Sequence, residues 1–269
     1  MANAKKKSET AVAVKNSKGE LVTYDYGDQA GAGWENTDQD DFAIPFINQL
    51  QAMSPQVEEG GEKSIKGAKP GMFVNSVTKE LMTEVHFVPC LTQHVFVEWV
   101  PRDNGGGFVA IHDLRSPVVL EAKTNAVNRN QLKTPEGNDL IDTFYIYAAL
   151  LGEDGEEVTD MAVMAFTSTK QKPYRDYLST LRKAKGSAKI PLFAHRIKMV
   201  AVKAKNKAGQ PYHNLEMSPM YGTVVDSLIP ADSPILEQAA EFGKNITAGE
   251  VQVKHEKAES SESETDGVF

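Results

Sequence analysis

In residues 71–102, GMFVNSVTKELMTEVHFVPCLTQHVFVEWVPR, apolar and polar side chains follow a period of two. The pattern reads as successive strands, GMFVNSV, MTEVHFVPC and TQHVFVEWVPR, split by turn residues. In the last of them Phe96 and Glu98 face away from Trp99. Downstream, Asp103-Asn104-Gly105-Gly106-Gly107 is a turn, and Phe108 to His112 returns as a strand. Residues 142–151, DTFYIYAALL, and 158–166, VTDMAVMAF, make a hairpin around Gly152 to Gly155. A strand over Leu192 to Lys205, a turn at Asn206 to Gly209 and a last strand over Tyr212 to Met217 follow. The fold class expected is mainly β with a few helices. Several short strands with one helix inserted late predict an OB-fold-like β-barrel.

Flanking segments set the expected domains. Residues 1–35 form a flexible N-terminal segment, with GDQAGAG at 27–33 as its joint. The folded, OB-like domain is expected over 36–245, and 246–269 reads as a disordered acidic tail. Phe42, Phe46 and Leu50, spaced four apart, predict a short helix capped by Thr37 or Asp38. Residues 115–139 show no period and read as a long exposed loop carrying Lys123, Arg129 and Lys133. A final helix is expected from about Ser233, its cap, to Lys244.

Charge is segregated. The chain carries a formal net charge of -8, yet residues 168–207, STKQKPYRDYLSTLRKAKGSAKIPLFAHRIKMVAVKAKNK, contain Asp176 as their one acid. A basic block inside a folded segment of an acidic chain is the footprint of a polyanion site. Within it Pro173 opens a helix and Gly186 closes it. Tyr174, Tyr177, Leu178 and Leu181 form its packing stripe, and Arg175 and Arg182 share another face, near Lys183 and Lys185. Candidate phosphate contacts are Lys170, Lys172, Arg175, Arg182, Lys183, Lys185, Arg196 and Lys198, joined by Arg102, Arg129 and Lys133. Single strands also need aromatic faces for bases. Trp99, Tyr145 and Tyr147 are the candidates, with the Tyr145/Tyr147 face assigned to the groove and the Phe144/Ile146 face to the core. The acidic end, AESSESETDGVF at 258–269, opposes the block in sign.

Several classes receive no support. One cysteine, Cys90, excludes an intrachain disulfide framework and a cysteine-rich zinc site. No apolar run approaches the ~20 residues of a membrane helix, and MANAKKKSET lacks the apolar stretch of a secretory signal. The six histidines show no metal-ligand spacing. Neither G-x-x-x-x-G-K-S/T nor G-x-S-x-G occurs. No enzyme activity, cofactor or metal is expected. The alternative of another class is a metal-dependent nuclease using Asp139 and Asp142.

AIPFINQLQAMSPQVEEG at 43–60, KPGMFVNSVTKE at 69–80, VEWVPRDNGGGFVAIH at 97–112 and the acidic end resemble a group of bacteriophage proteins identified as single-stranded DNA-binding. The resemblance runs from about Trp34 to the C-terminus. It implies an OB fold that coats replication and recombination intermediates in the cytoplasm of the infected bacterium. It implies that Glu262, Glu264, Asp266, Val268 and Phe269 recruit a phage DNA polymerase, helicase or recombinase. The bacterial tail pattern is Asp-rich and ends Ile-Pro-Phe, whereas this chain ends Asp-Gly-Val-Phe. The expected partners are single-stranded DNA, such a replication enzyme and further copies of the chain. The nearest alternative is a phage annealing protein for recombination.

Overall fold

A computed structural model describes residues 11–15, 20–25, 32–33, 43–128, 131–184, 189–206 and 208–249. They fall in two compact units, 1–42 and 43–269. In the first, β1 (Ala11–Lys15) and β2 (Leu21–Asp25) pair antiparallel, with Ala13 opposite Thr23. A hairpin thus stands inside the stretch that composition alone marks as flexible.

The second unit is mainly β. β3 (Ile47–Gln49), β4 (Phe73–Asn75) and β5 (Leu81–Met82) form a three-stranded antiparallel sheet. The seven-stranded main sheet comprises β6 (Glu84–Trp99), β7 (Phe108–Asp113), β8 (Leu132–Lys133), β9 (Asp139–Leu151), β10 (Val158–Thr167), β11 (Ile197–Lys205) and β12 (Pro211–Pro219). Its order is β10-β9-β6-β11-β12, with β7 on β6 and β8 on β9. No ladder among the described residues closes it into a barrel. Three α-helices complete the described unit: α1 (Pro117–Asn125), α2 (Gln171–Lys183) and α3 (Pro234–Ala248). None is long and apolar enough to cross a membrane.

β6 is one strand of 16 residues where two were expected. Its pairing with β9 shifts register between Pro89 and Leu91, which leaves Cys90 extra. A bulge tolerates a residue without an N–H, so Pro89 bends the strand instead of ending it. One inserted residue also swaps the faces of everything beyond it. Before the bulge, Val85 and Phe87 join the core under α2; after it, Val95 and Val97 join the core on the opposite face.

The first core holds Phe87, Ile146, Met164, Phe166 and Ile197, sealed by Tyr174, Tyr177 and Leu181 of α2. This is the helix stripe read from the sequence. The second core holds Val88, Cys90, Val97, Tyr145, Tyr147 and Val163, covered by Ile235, Ala239 and Phe242 of α3 and by Phe46. Burial pushes the Cys90 thiol up to about 12, as expected of a core cysteine. Both faces of β9 are therefore packed. The tyrosine face assigned to the groove is interior instead, Tyr145 being 2% and Tyr147 6% exposed.

Two further expectations are corrected. Residues 43–50 are extended: Val163 N–H donates to the Pro45 carbonyl at 2.9 Å and Ile47–Gln49 pairs with β4. Sheet pairing here overrides a helical spacing of apolar residues. The Thr37 or Asp38 cap lies outside the described residues. The loop expected at 115–139 contains α1 and β8. Ser116 caps α1 by accepting from Val119 N–H, and Pro117 supplies its first turn. Ser233 caps α3 as anticipated, accepting from Ile235 N–H at 3.3 Å.

α3 lies close on the β6 bulge. A Cβ at Gly243 would stand 2.9 Å from the Cys90 carbonyl oxygen. Gly243→Ala gains ~1 kcal/mol of helix propensity but incurs an overpacking cost of ~1–3 kcal/mol. A lowered thermal midpoint is the expected result. A midpoint at or above that of the native chain would mean that α3 is free to shift.

Candidate nucleic-acid interface

α2 separates its two faces sharply. With Tyr174, Tyr177 and Leu181 buried, Lys172, Arg175, Arg182 and Lys183 are left exposed on the opposite side. The last two stand at the C-terminal end, where the helix dipole favours cations. Among the described residues neither is in an ion pair. Lys172 is paired with Asp176 one turn on. Arg175 donates to the Gln171 carbonyl and to Gln171 Oε1, each at 3.4 Å, and its guanidinium lies 5.6 Å from the Phe144 ring centroid. Lys170 is half-buried, and desolvation lowers its pKa below the usual lysine value.

Beside this face runs a groove of about 580 Å³, lined by Phe144, Leu178, Arg182, Ile190, Leu192 and His195 among others. His94 stacks on Phe144 at 3.9 Å between centroids, and its Nε2 lies 2.6 Å from Asp142 Oδ1. Phe144, assigned to the core from the sequence, does pack against the first core but is only half-buried, with His94 and Arg175 on its ring. Alternation along one strand does not reveal this; the β6–β9 register that sets His94 opposite Phe144 does.

The remaining predicted contacts are dispersed. Arg196 is 4% exposed and directed inward. It donates to the Gly155 carbonyl at 2.9 Å and the Leu228 carbonyl at 3.1 Å, and lies 3.5 Å from Glu156. A guanidinium so enclosed leaves no face for a phosphate. Lys198 pairs with Glu84 at 2.9 Å, and its hydrogen bond holds the Glu84 carboxyl below the usual carboxylate range. Lys133 pairs with Asp139 at 2.7 Å. Arg102 is exposed on the turn Arg102–Asn104 beyond β6. Trp99 is half-buried and meets Phe108 edge-on, 5.9 Å between centroids. Arg129, Lys185, Glu262, Glu264, Asp266, Val268 and Phe269 lie outside the described residues.

Asp139 and Asp142, the nuclease alternative, are thus matched with Lys133 and His94 respectively. Among the described residues no group of three or more His, Cys, Asp or Glu side chains is placed to hold a metal ion.

Trp99 and Tyr145 line a second cleft, of about 730 Å³, away from the exposed face of α2. Sequence reasoning missed this cleft because one wall comes from residues 55–79, which carry neither a basic run nor an exposed aromatic. Thr167, one of its lining residues, leads directly through Ser168–Lys170 into α2.

Compared with known proteins, residues 14–252 match the family model described as Pam3 phage gp34-like protein. No curated protein matches, and no solved structure does.

Proposed function

The chain belongs to the Pam3 phage gp34-like protein family, and we propose that it is a single-stranded DNA-binding protein acting on replication and recombination intermediates in the infected bacterium. The observation that carries this reading is the exposed cationic face of α2 on a chain of formal net charge -8. Solvated surfaces ordinarily mix both signs. Here Arg175, Arg182 and Lys183 have Asp176 as the one acid on their helix, and Lys172 already holds it. In the proposed role these side chains hold phosphates, which gives affinity without sequence preference. The exposed His94 ring, backed by Phe144, offers a stacking surface to a base.

An OB-type architecture is part of the proposal. Its support is topological: β10-β9-β6-β11-β12 is a five-strand antiparallel path with β6 long, bent and central, and α2 enters between β10 and β11. That is the order of a five-stranded Greek-key barrel left open between its third and last strands.

The acidic end, Glu259, Glu262, Glu264 and Asp266, is proposed to compete with DNA for the cations and, with Val268 and Phe269, to recruit a replication or recombination enzyme. A gel-shift series with a labelled single strand tests the reading. The expected result is a shifted and intact strand with Mg²⁺ present, and a weaker shift for duplex. Truncation after Lys257 should tighten binding, most at low salt where screening is least. A degraded strand would instead support a nuclease, and equal retention of duplex would remove the single-strand preference.

A further inference from the structure

The second face of the main sheet is covered at one end by α3. At the other end the β3–β4–β5 sheet and the segment preceding β4 stand opposite it. Between them lies the cleft of about 730 Å³, within the ~300–1,000 Å³ range of sites that enclose small ligands. One side is aromatic: Trp99 and Phe46, with the buried Tyr145 behind them. The other wall of the cleft brings Asn48, Lys63 and Lys79. Glu62 is its one carboxylate among the described residues, against two lysines.

We propose that this cleft takes an unpaired nucleotide of a bound single strand, with the base stacked against Trp99 and the phosphate held by Lys63 and Lys79. The proposal rests on the single-strand reading above and assigns it a second, separate contact surface. An unpaired nucleotide presents an uncovered flat base and one anionic phosphate, and the cleft brings together an indole and two ammonium groups. The wall is built to hold its place. Asn75 Oδ1 accepts from the Val77 and Thr78 N–H groups at 2.9 and 3.0 Å. That turn puts Lys79 at φ 62, a conformation uncommon outside glycine, with its Nζ bonded to the Ser76 carbonyl. Backbone outliers of this kind persist where the surroundings impose them and cluster at ligand clamps. On the aromatic side, the edge-on contact with Phe108 helps to hold the indole.

The class of ligand follows from the stacking. A base inside a duplex has both faces covered by its neighbours and presents none to Trp99. A single strand can give up one base to the cleft and continue past Thr167 onto the cations of α2.

The chain has two tryptophans, Trp34 and Trp99, so Trp34→Phe leaves Trp99 as the sole reporter. On titration of that variant with oligothymidylate, Trp99 emission should fall, and a duplex of equal length should leave it unchanged. In the native background, Lys63→Ala combined with Lys79→Asn removes both ammonium groups; Asn tolerates positive φ and keeps the turn. The pair should weaken oligothymidylate binding about five-fold or more at low salt and reduce the salt slope by ~0.7, the share of the one phosphate lost. Unchanged Trp99 emission at saturation, together with full affinity in the lysine variant, would overturn the cleft proposal. If an α2 variant still lost binding in that case, the single-strand reading would stand with the strand confined to α2. Failure of the native chain to bind any single strand would overturn both.

Discussion

Replacing Arg175, Arg182 and Lys183 together by alanine is expected to cut single-strand affinity by roughly two orders of magnitude at 50 mM salt. Each phosphate neutralised on a single strand contributes ~0.7 to the slope of log affinity against log salt. Three lost contacts therefore lower the slope by ~2, and the difference grows as salt falls. All three side chains are exposed, and the face that secures the helix is Tyr174, Tyr177 and Leu181. The thermal midpoint should accordingly move little, which separates lost binding from lost folding. Arg175 also stacks near Phe144, so it should contribute more than either of the others when exchanged alone. A triple variant with native affinity and native slope would take α2 out of the site.

Arg196→Met is expected to do the reverse. Arg196 joins the β9–β10 turn to the 220–228 loop through the Gly155 and Leu228 carbonyls, and its guanidinium lies 5.7 Å from the Tyr221 ring centroid. Methionine fills much of the volume but donates nothing, and each carbonyl left without a partner costs about 1–3 kcal/mol. The Glu156 side chain is 66% exposed, so that ion pair contributes little. The expected loss is about 2–4 kcal/mol of stability by urea denaturation. Single-strand affinity of the folded variant should stay within about two-fold of native, since an enclosed guanidinium touches no phosphate. A ten-fold loss of affinity without destabilisation would return Arg196 to the interface.

These opposite expectations for basic residues of one block mark where the sequence was legible. The α2 stripe, the β9–β10 hairpin and the α3 cap all announce themselves within a few residues, through spacing, turn chemistry and capping. The exposure of Arg175 and Arg182 followed from the same helical spacing. The misread features depend on segments far apart in the chain. Tyr145 and Tyr147 alternate as a groove face would, but α3 and Phe46, about a hundred residues away on either side, cover them. The break expected between the strands ending at Cys90 and starting at Thr92 is also absent, and only the β9 ladder shows that the chain runs on through a bulge there. Arg196 counts as one more positive charge until the Gly155 and Leu228 carbonyls converge on it. Ser116-Pro117 was a local signal for α1, obscured by the polar composition around it.

The central claim is that the chain binds unpaired DNA through phosphate contacts on α2. Fluorescence polarisation of a labelled oligothymidylate, titrated with the full-length chain over a series of salt concentrations, tests it most directly. With about five phosphates engaged, log affinity should fall with log salt at a slope near -3.5, and the Arg175, Arg182 and Lys183 variant should flatten that slope to about -1.5. Absence of binding at the lowest salt, or one slope shared by the native and variant chains, would contradict the claim.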